Sequence, residues 1–176
     1  MGIDTFVFEW VQQIRTPGWD VFMKQITLLG NWPVVFALAA IASLLFFRFH
    51  QKEKALSLLL NVWVGGLIVV LIKYSIQRLR PEFGLVEEIG FSFPSAHAFL
   101  SVTFYGYLLY LLLKTNLRRS VRWLGAVWLF ALVVLISFSR IYLGVHWFSD
   151  VVGGVAMALV WMGVVGRYTP SPLKGE

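Results

Sequence analysis

The chain has 176 residues, enough for one hydrophobic core and too few for two sizeable domains. Hydrophobic residues make up 59% and charged residues 14%, against roughly 45–50% and about 25% in soluble domains, which excludes a disordered chain, a coiled coil and an ordinary soluble enzyme and places the protein in a bilayer. The net charge of +6 then reports membrane topology, with no nucleic-acid partner expected, and the absence of cysteine excludes a disulfide framework, a thiolate nucleophile and a thiolate zinc site.

In the first 30 residues Phe6, Val7, Trp10, Val11 and Ile14 fall at helical spacing, interrupted by Asp4, Glu9 and Arg15. After Pro17-Gly18 a second piece carries Trp19, Phe22, Ile26 and Leu29, with Asp20 and Lys24 between them. Residues 1–30 are therefore expected to form amphipathic helices in the membrane interface, the alternative being a sixth, weakly hydrophobic span. Asp4 and Glu9 stand where the basic region of a cleavable signal would be, so none is expected. Charge-free apolar stretches follow at 31–47, 55–72, 97–113, 123–138 and 151–166. Each is a little shorter than the ~20 residues a spanning helix needs, and uncharged neighbours extend them. The expectation is an all-α integral membrane protein, one domain over 1–176, with a transmembrane core of about five helices over 31–167 and a tail at 168–176.

Orientation follows from the connections. Arg48, Lys52 and Lys54, then Lys114, Arg118, Arg119 and Arg122, then Arg167 and Lys174 share one side and include nine of the fifteen basic residues. That side is expected to be cytoplasmic, as for a bacterial inner-membrane protein, with 1–30, 73–93 and 139–150 facing the periplasm or exterior.

Lys73, Arg80, His97, Arg140, His146 and Asp150 all fall at span ends on that outer side. Ionisable groups in a bilayer cost ~2.5–3.5 kcal/mol each on insertion scales, so six converging from separate spans suggest a site. Lys73 and Arg80 are seven apart and would share one face of a helix running to Pro81. Pro94-Ser95-Ala96-His97 reads as a loop entering a helix, with Ser95 as cap and free N–H groups beyond it. Arg140 offers a planar fork for phosphate oxygens. His146 and Asp150 are one turn apart, so the carboxylate can hold one ring nitrogen and leave the other free to attack. Together these residues fit a phosphate-sized anion. His97, His146 and Asp150 could also ligate a metal, but the cations around them would repel one, so no metal and no cofactor is expected. Glu82, Glu87 and Glu88 are expected to face solvent or a polar headgroup.

The run Lys73-Tyr-Ser-Ile-Gln-Arg-Leu-Arg80-Pro81, then Pro94-Ser95-Ala96-His97, then Ser139-Arg140-Ile-Tyr-Leu-Gly-Val-His146-Trp-Phe-Ser-Asp150 resembles the three motifs of the type 2 phosphatidic acid phosphatase family. That family is similar, around its phosphate site, to the vanadium haloperoxidases. The resemblance covers about residues 55–166 and departs at Ala96, where the family usually has Gly. It implies that His146 attacks phosphorus to give a phosphohistidine and that Asp150 orients it. His97 would protonate the leaving oxygen and then activate water, and Lys73, Arg80, Ser95, Arg140 and the Ala96 N–H would bind the phosphate. The implied substrate is a lipid phosphate or diphosphate of the outer leaflet: undecaprenyl diphosphate, phosphatidylglycerol phosphate or the 1-phosphate of lipid A. Selectivity would come from 5–29, 82–93 and grooves between spans. A phosphotransferase using the same site, or a non-catalytic carrier, are the alternatives.

Overall fold

The computed structural model describes residues 2–82 and 84–168. Among them every regular element is a helix: α1 (Ile3–Gln13), α2 (Pro17–Leu28), α3 (Trp32–Arg48), α4 (Lys52–Ile76), α5 (Ala96–Leu113), α6 (Arg119–Tyr142) and α7 (Phe148–Tyr168). α4 and α5 each contain one π-helical turn, at Leu60–Val64 and Val102–Gly106, and the two turns pack against each other.

Local chemistry sets the helix starts. Thr16 caps α2, its side chain accepting from the Trp19 N–H at 3.4 Å, and Pro17 fills the first turn where a missing N–H costs nothing. Asp4 and Asp20 lie in the first turns of α1 and α2, where negative charge complements the helix dipole.

α4, α5, α6 and α7 are each long and apolar enough to cross a membrane, and α2 with α3 makes a fifth candidate span bent by 45°. The five stretches expected from sequence are thus all helical. α2, read above as interfacial, is helical over Pro17–Leu28 and joins α3 at that bend, as part of a broken span or of a re-entrant segment. α3 has 17 residues, about 26 Å at 1.5 Å per residue, short of a hydrocarbon core of roughly 30 Å. Counted with α2 through the bend, it meets the same requirement of length and composition. The tail expected at 168–176 lies, apart from Tyr168 at the end of α7, outside the described residues.

α6 is the central post, packed by α1, α2, α5 and α7. Val62, Val69, Phe99, Leu132, Ile136 and Ala158 fill the core around it, while Val11, Met23, Tyr142 and Leu143 form a second cluster that seats α1 and α2. Leu44, Leu67, Leu71, Leu124 and Val160 point outward and are exposed, a surface that suits lipid rather than water. The connections 77–95 and 143–147 meet at one end of the bundle, where the Leu85 N–H donates to the Leu143 carbonyl at 2.8 Å.

Candidate active site

α4 stops before the site. Gln77 adopts a left-handed conformation (φ 52°) and the chain leaves the helix there. Lys73 and Arg80 therefore do not share a helix face, as their spacing suggested. They converge because the connection 77–95 folds back over the bundle end. Ser92 ties the fold-back, its N–H donating to the Arg78 carbonyl at 2.8 Å and its hydroxyl to the Leu79 carbonyl at 3.0 Å. Lys73 Nζ donates to the carbonyls of Phe91 (2.8 Å) and Ser92 (3.2 Å), and Arg80 Nε to that of Gly90 (3.0 Å).

His146 sits on the tight turn between α6 and α7, its N–H and that of Val145 both bonded to the Arg140 carbonyl. The ring is buried. Its Nε2 lies 3.2 Å from Arg80 Nη1, and its Nδ1 3.4 Å from Asp150 Oδ2. Asp150, fully buried in the first turn of α7, accepts the Trp147 N–H on Oδ2 at 2.9 Å and Arg78 Nη1 on Oδ1 at 2.7 Å. Burial, and the cations of Arg140, Arg80 and Lys73, push the His146 imidazole well below its ordinary pKa, so it stays neutral with a lone pair available.

Ser95 caps α5, and its own N–H donates to the Asp150 carbonyl at 3.0 Å, which locks the α5 start to the α7 start. Gly154, one turn further along α7, makes this approach possible: a Cβ there would lie 2.6 Å from the Ser95 carbonyl oxygen. Ala96 and His97 follow in the first turn, where N–H groups have no helical carbonyl to bond. The His97 ring packs against Gly30 at the α2–α3 bend, where a Cβ would lie 3.3 Å from His97 Cδ2 and 2.3 Å from Ile136 Cγ2. Lys73, Arg80, Ala96, His97 and His146 all line one cavity of about 750 Å³, whose walls continue between α3 and α4 along Trp32, Phe36, Trp63, Gly66 and Val70.

Residues 54–171 match the PAP2 superfamily. The chain belongs to that family. Phosphatidylglycerophosphatase B of Bacillus subtilis is 34% identical over 153 residues, covering 84% of this chain and 73% of that protein. Undecaprenyl-diphosphatase of Sulfolobus acidocaldarius is 30% identical over 167 residues, 88% of this chain and 72% of that one. The crystal structure of a transmembrane PAP2 type phosphatidylglycerolphosphate phosphatase from Bacillus subtilis superposes with a TM-score of 0.84 at 30% identity, over 94% of this chain and 83% of that chain. The protein is a PAP2-type membrane phosphatase.

Within this PAP2 site three charged residues occupy places that sequence reasoning did not give them. Glu88, expected to face solvent or a headgroup, pairs through Oε1 with Arg140 Nη2, and its Oε2 lies 3.8 Å from Arg80 Nη2. Arg140 is buried; its Nη1 donates to the Thr27 hydroxyl at 2.6 Å, and its Nε has no partner among the described residues. Arg140 thus reaches the cavity edge through Glu88. Arg78, between Lys73 and Arg80 in sequence, binds Asp150, and Asp4 of α1 binds Arg78 at 2.7 Å. Asp4 lies outside the family match, and its only sequence signal was its place on an amphipathic helix that lands at the site's end of the bundle.

Proposed function

We propose that this PAP2-type phosphatase hydrolyses the terminal phosphate of a membrane lipid phosphate or diphosphate, without a metal, through a phosphohistidine on His146 at the outer face of a bacterial inner membrane. One observation carries the reading: His146 turns Nε2 to a cation-lined cavity and Nδ1 to a fixed carboxylate.

The Nε2 lone pair attacks phosphorus as the bond to the lipid oxygen breaks, and His97 gives that oxygen its proton. The imidazolium formed on His146 is stabilised by Asp150. Water then attacks the phosphohistidine, His97 takes its proton, the P–N bond breaks and inorganic phosphate leaves. Lys73, Arg80, Arg140, Ser95 and the Ala96 N–H hold the oxygens whose charge must be stabilised in both steps. Glu88 yields its place between Arg80 and Arg140 when phosphate arrives. The apolar wall between α3 and α4 suits a tail that stays in lipid. The names of the relatives support undecaprenyl diphosphate and phosphatidylglycerol phosphate as the substrates to try first, with lipid A 1-phosphate beside them.

The test is phosphate release by purified protein in excess chelator from those three lipids and phosphatidic acid, alongside His146→Ala. The expected result is release that chelator leaves unchanged and that His146→Ala reduces by more than about 10³-fold. His97→Ala should cost about 10²–10⁴-fold. Substantial turnover by His146→Ala, or restoration of a chelated enzyme by Mg²⁺ or Zn²⁺, would sink the mechanism. Release that requires an acceptor lipid would make the protein a phosphotransferase.

A further inference from the structure

Asp150 is bound on both sides. Oδ2 faces His146 and the Trp147 N–H, while Oδ1 takes Arg78 Nη1 at 2.7 Å. Arg78 is not spare phosphate-binding capacity: it stands across Asp150 from His146, and both its terminal nitrogens are engaged. Nη1 also donates to the Ser149 hydroxyl (2.6 Å) and Nη2 to Asp4 Oδ2 (2.7 Å), and the guanidinium carbon lies 5.8 Å from the centroid of the Trp147 ring. Asp4 closes the circuit, accepting the Ser149 hydroxyl on Oδ2 (2.7 Å) and the Ser149 N–H on Oδ1 (2.8 Å).

The charges along this chain run minus, plus, minus. A lone arginine on Asp150 would cancel the field that the carboxylate exerts on His146. With Asp4 sharing the guanidinium, Asp150 keeps its charge for the imidazolium that forms during attack, and its two oxygens are held in one plane by charge-assisted bonds. We propose that Arg78 is a positioning residue for the attack by His146, and that Asp4 is its counter-charge, which makes the N-terminal helix α1 part of the active site. This rests on the reading of His146 and Asp150 given above.

The experiment compares Arg78→Ala, Asp4→Asn, the double variant and His146→Ala, with dioctanoyl phosphatidic acid in detergent micelles as probe. Arg78→Ala should lower kcat by about 10- to 100-fold, the scale on which outer partners of reacting groups act. KM should stay within about twofold, because Arg78 does not touch phosphate. Added guanidinium ion should restore part of the rate. Asp4→Asn should lower kcat by about 3- to 10-fold and add nothing in the double variant, since its effect passes through Arg78. A raised KM with kcat retained would make Arg78 a phosphate ligand and overturn the proposal. So would a folded Arg78→Ala with wild-type kcat. If Arg78→Ala does not fold, Asp4→Asn decides, and wild-type kcat there overturns it. Activity in His146→Ala would instead bring down the underlying mechanism, an outcome separable from all of these.

Discussion

Glu88 stands between Arg80 and Arg140, the place assigned above to a phosphate oxygen. The pocket is therefore already partly neutralised, and under the proposed function a phosphate would enter by displacing that carboxylate. Glu88→Gln should strengthen competitive inhibition by inorganic phosphate about tenfold, or ~1.4 kcal/mol, read as a lower inhibition constant; an unchanged constant would mean that the carboxylate does not compete. His146 gives a second prediction. In the proposed mechanism its neutral form is the reactive one, and burial with three nearby cations holds its pKa below the ordinary imidazole range. The acid limb of kcat/KM, which reports the free enzyme, should therefore lie below about pH 6.5. Arg80→Gln removes one of those cations and should move the limb to higher pH. At this scale the sequence reveals polar groups that interrupt apolar spans, which is how His97, Arg140, His146 and Asp150 come to notice. Arg78, Glu88 and Asp4 sit in a loop or on an amphipathic face, where charge is ordinary, and only the fold-back of 77–95 and the seating of α1 give them partners.

Helix packing around the site depends on two glycines whose missing side chains are filled by its own groups. Gly30→Ala would drive a methyl against Ile136 and the His97 ring. It should destabilise by about 1–3 kcal/mol and lower kcat more than it raises KM, checked by thermal unfolding in detergent together with kinetics. Gly154→Ala meets the Ser95 backbone, which cannot rotate away, so its loss of stability should be the larger. Spans are legible in sequence because the bilayer demands long charge-free runs; their ends are not, because ends answer to tertiary bonds. α4 stops at Ile76 rather than Pro81 because Gln77 turns left-handed and the chain beyond it finds carbonyl and ammonium partners across the fold-back. α2 reads as interfacial from its charges, and only its place beside α3 across a 45° bend makes the two together long and apolar enough to count as one candidate span.

The whole molecule is sided. The basic segments 48–54 and 114–122, with the end of α7, lie opposite the end that holds His146, which supports an outward-facing site. The cysteine-free chain makes this directly measurable. Glu82→Cys should react with a membrane-impermeant maleimide in intact cells, and Asn116→Cys only after permeabilisation; the reverse pattern would put the chemistry on the cytoplasmic side. The two π-helical turns bear on the same question of how one end is built. An α-helix rotates 100° per residue, and each π turn carries one extra residue beneath a reactive end: Leu60–Val64 below Lys73, Val102–Gly106 below His97. Rewinding Leu60–Val64 as α-helix with every residue kept would swing Lys73 by about 100° away from the cavity, whereas deleting one residue from the turn would restore regular α winding and leave Lys73 where it is. Which residues of α4 and α5 face the site is thus set partway along each span, where the wider winding takes up one residue and the half below keeps its packing.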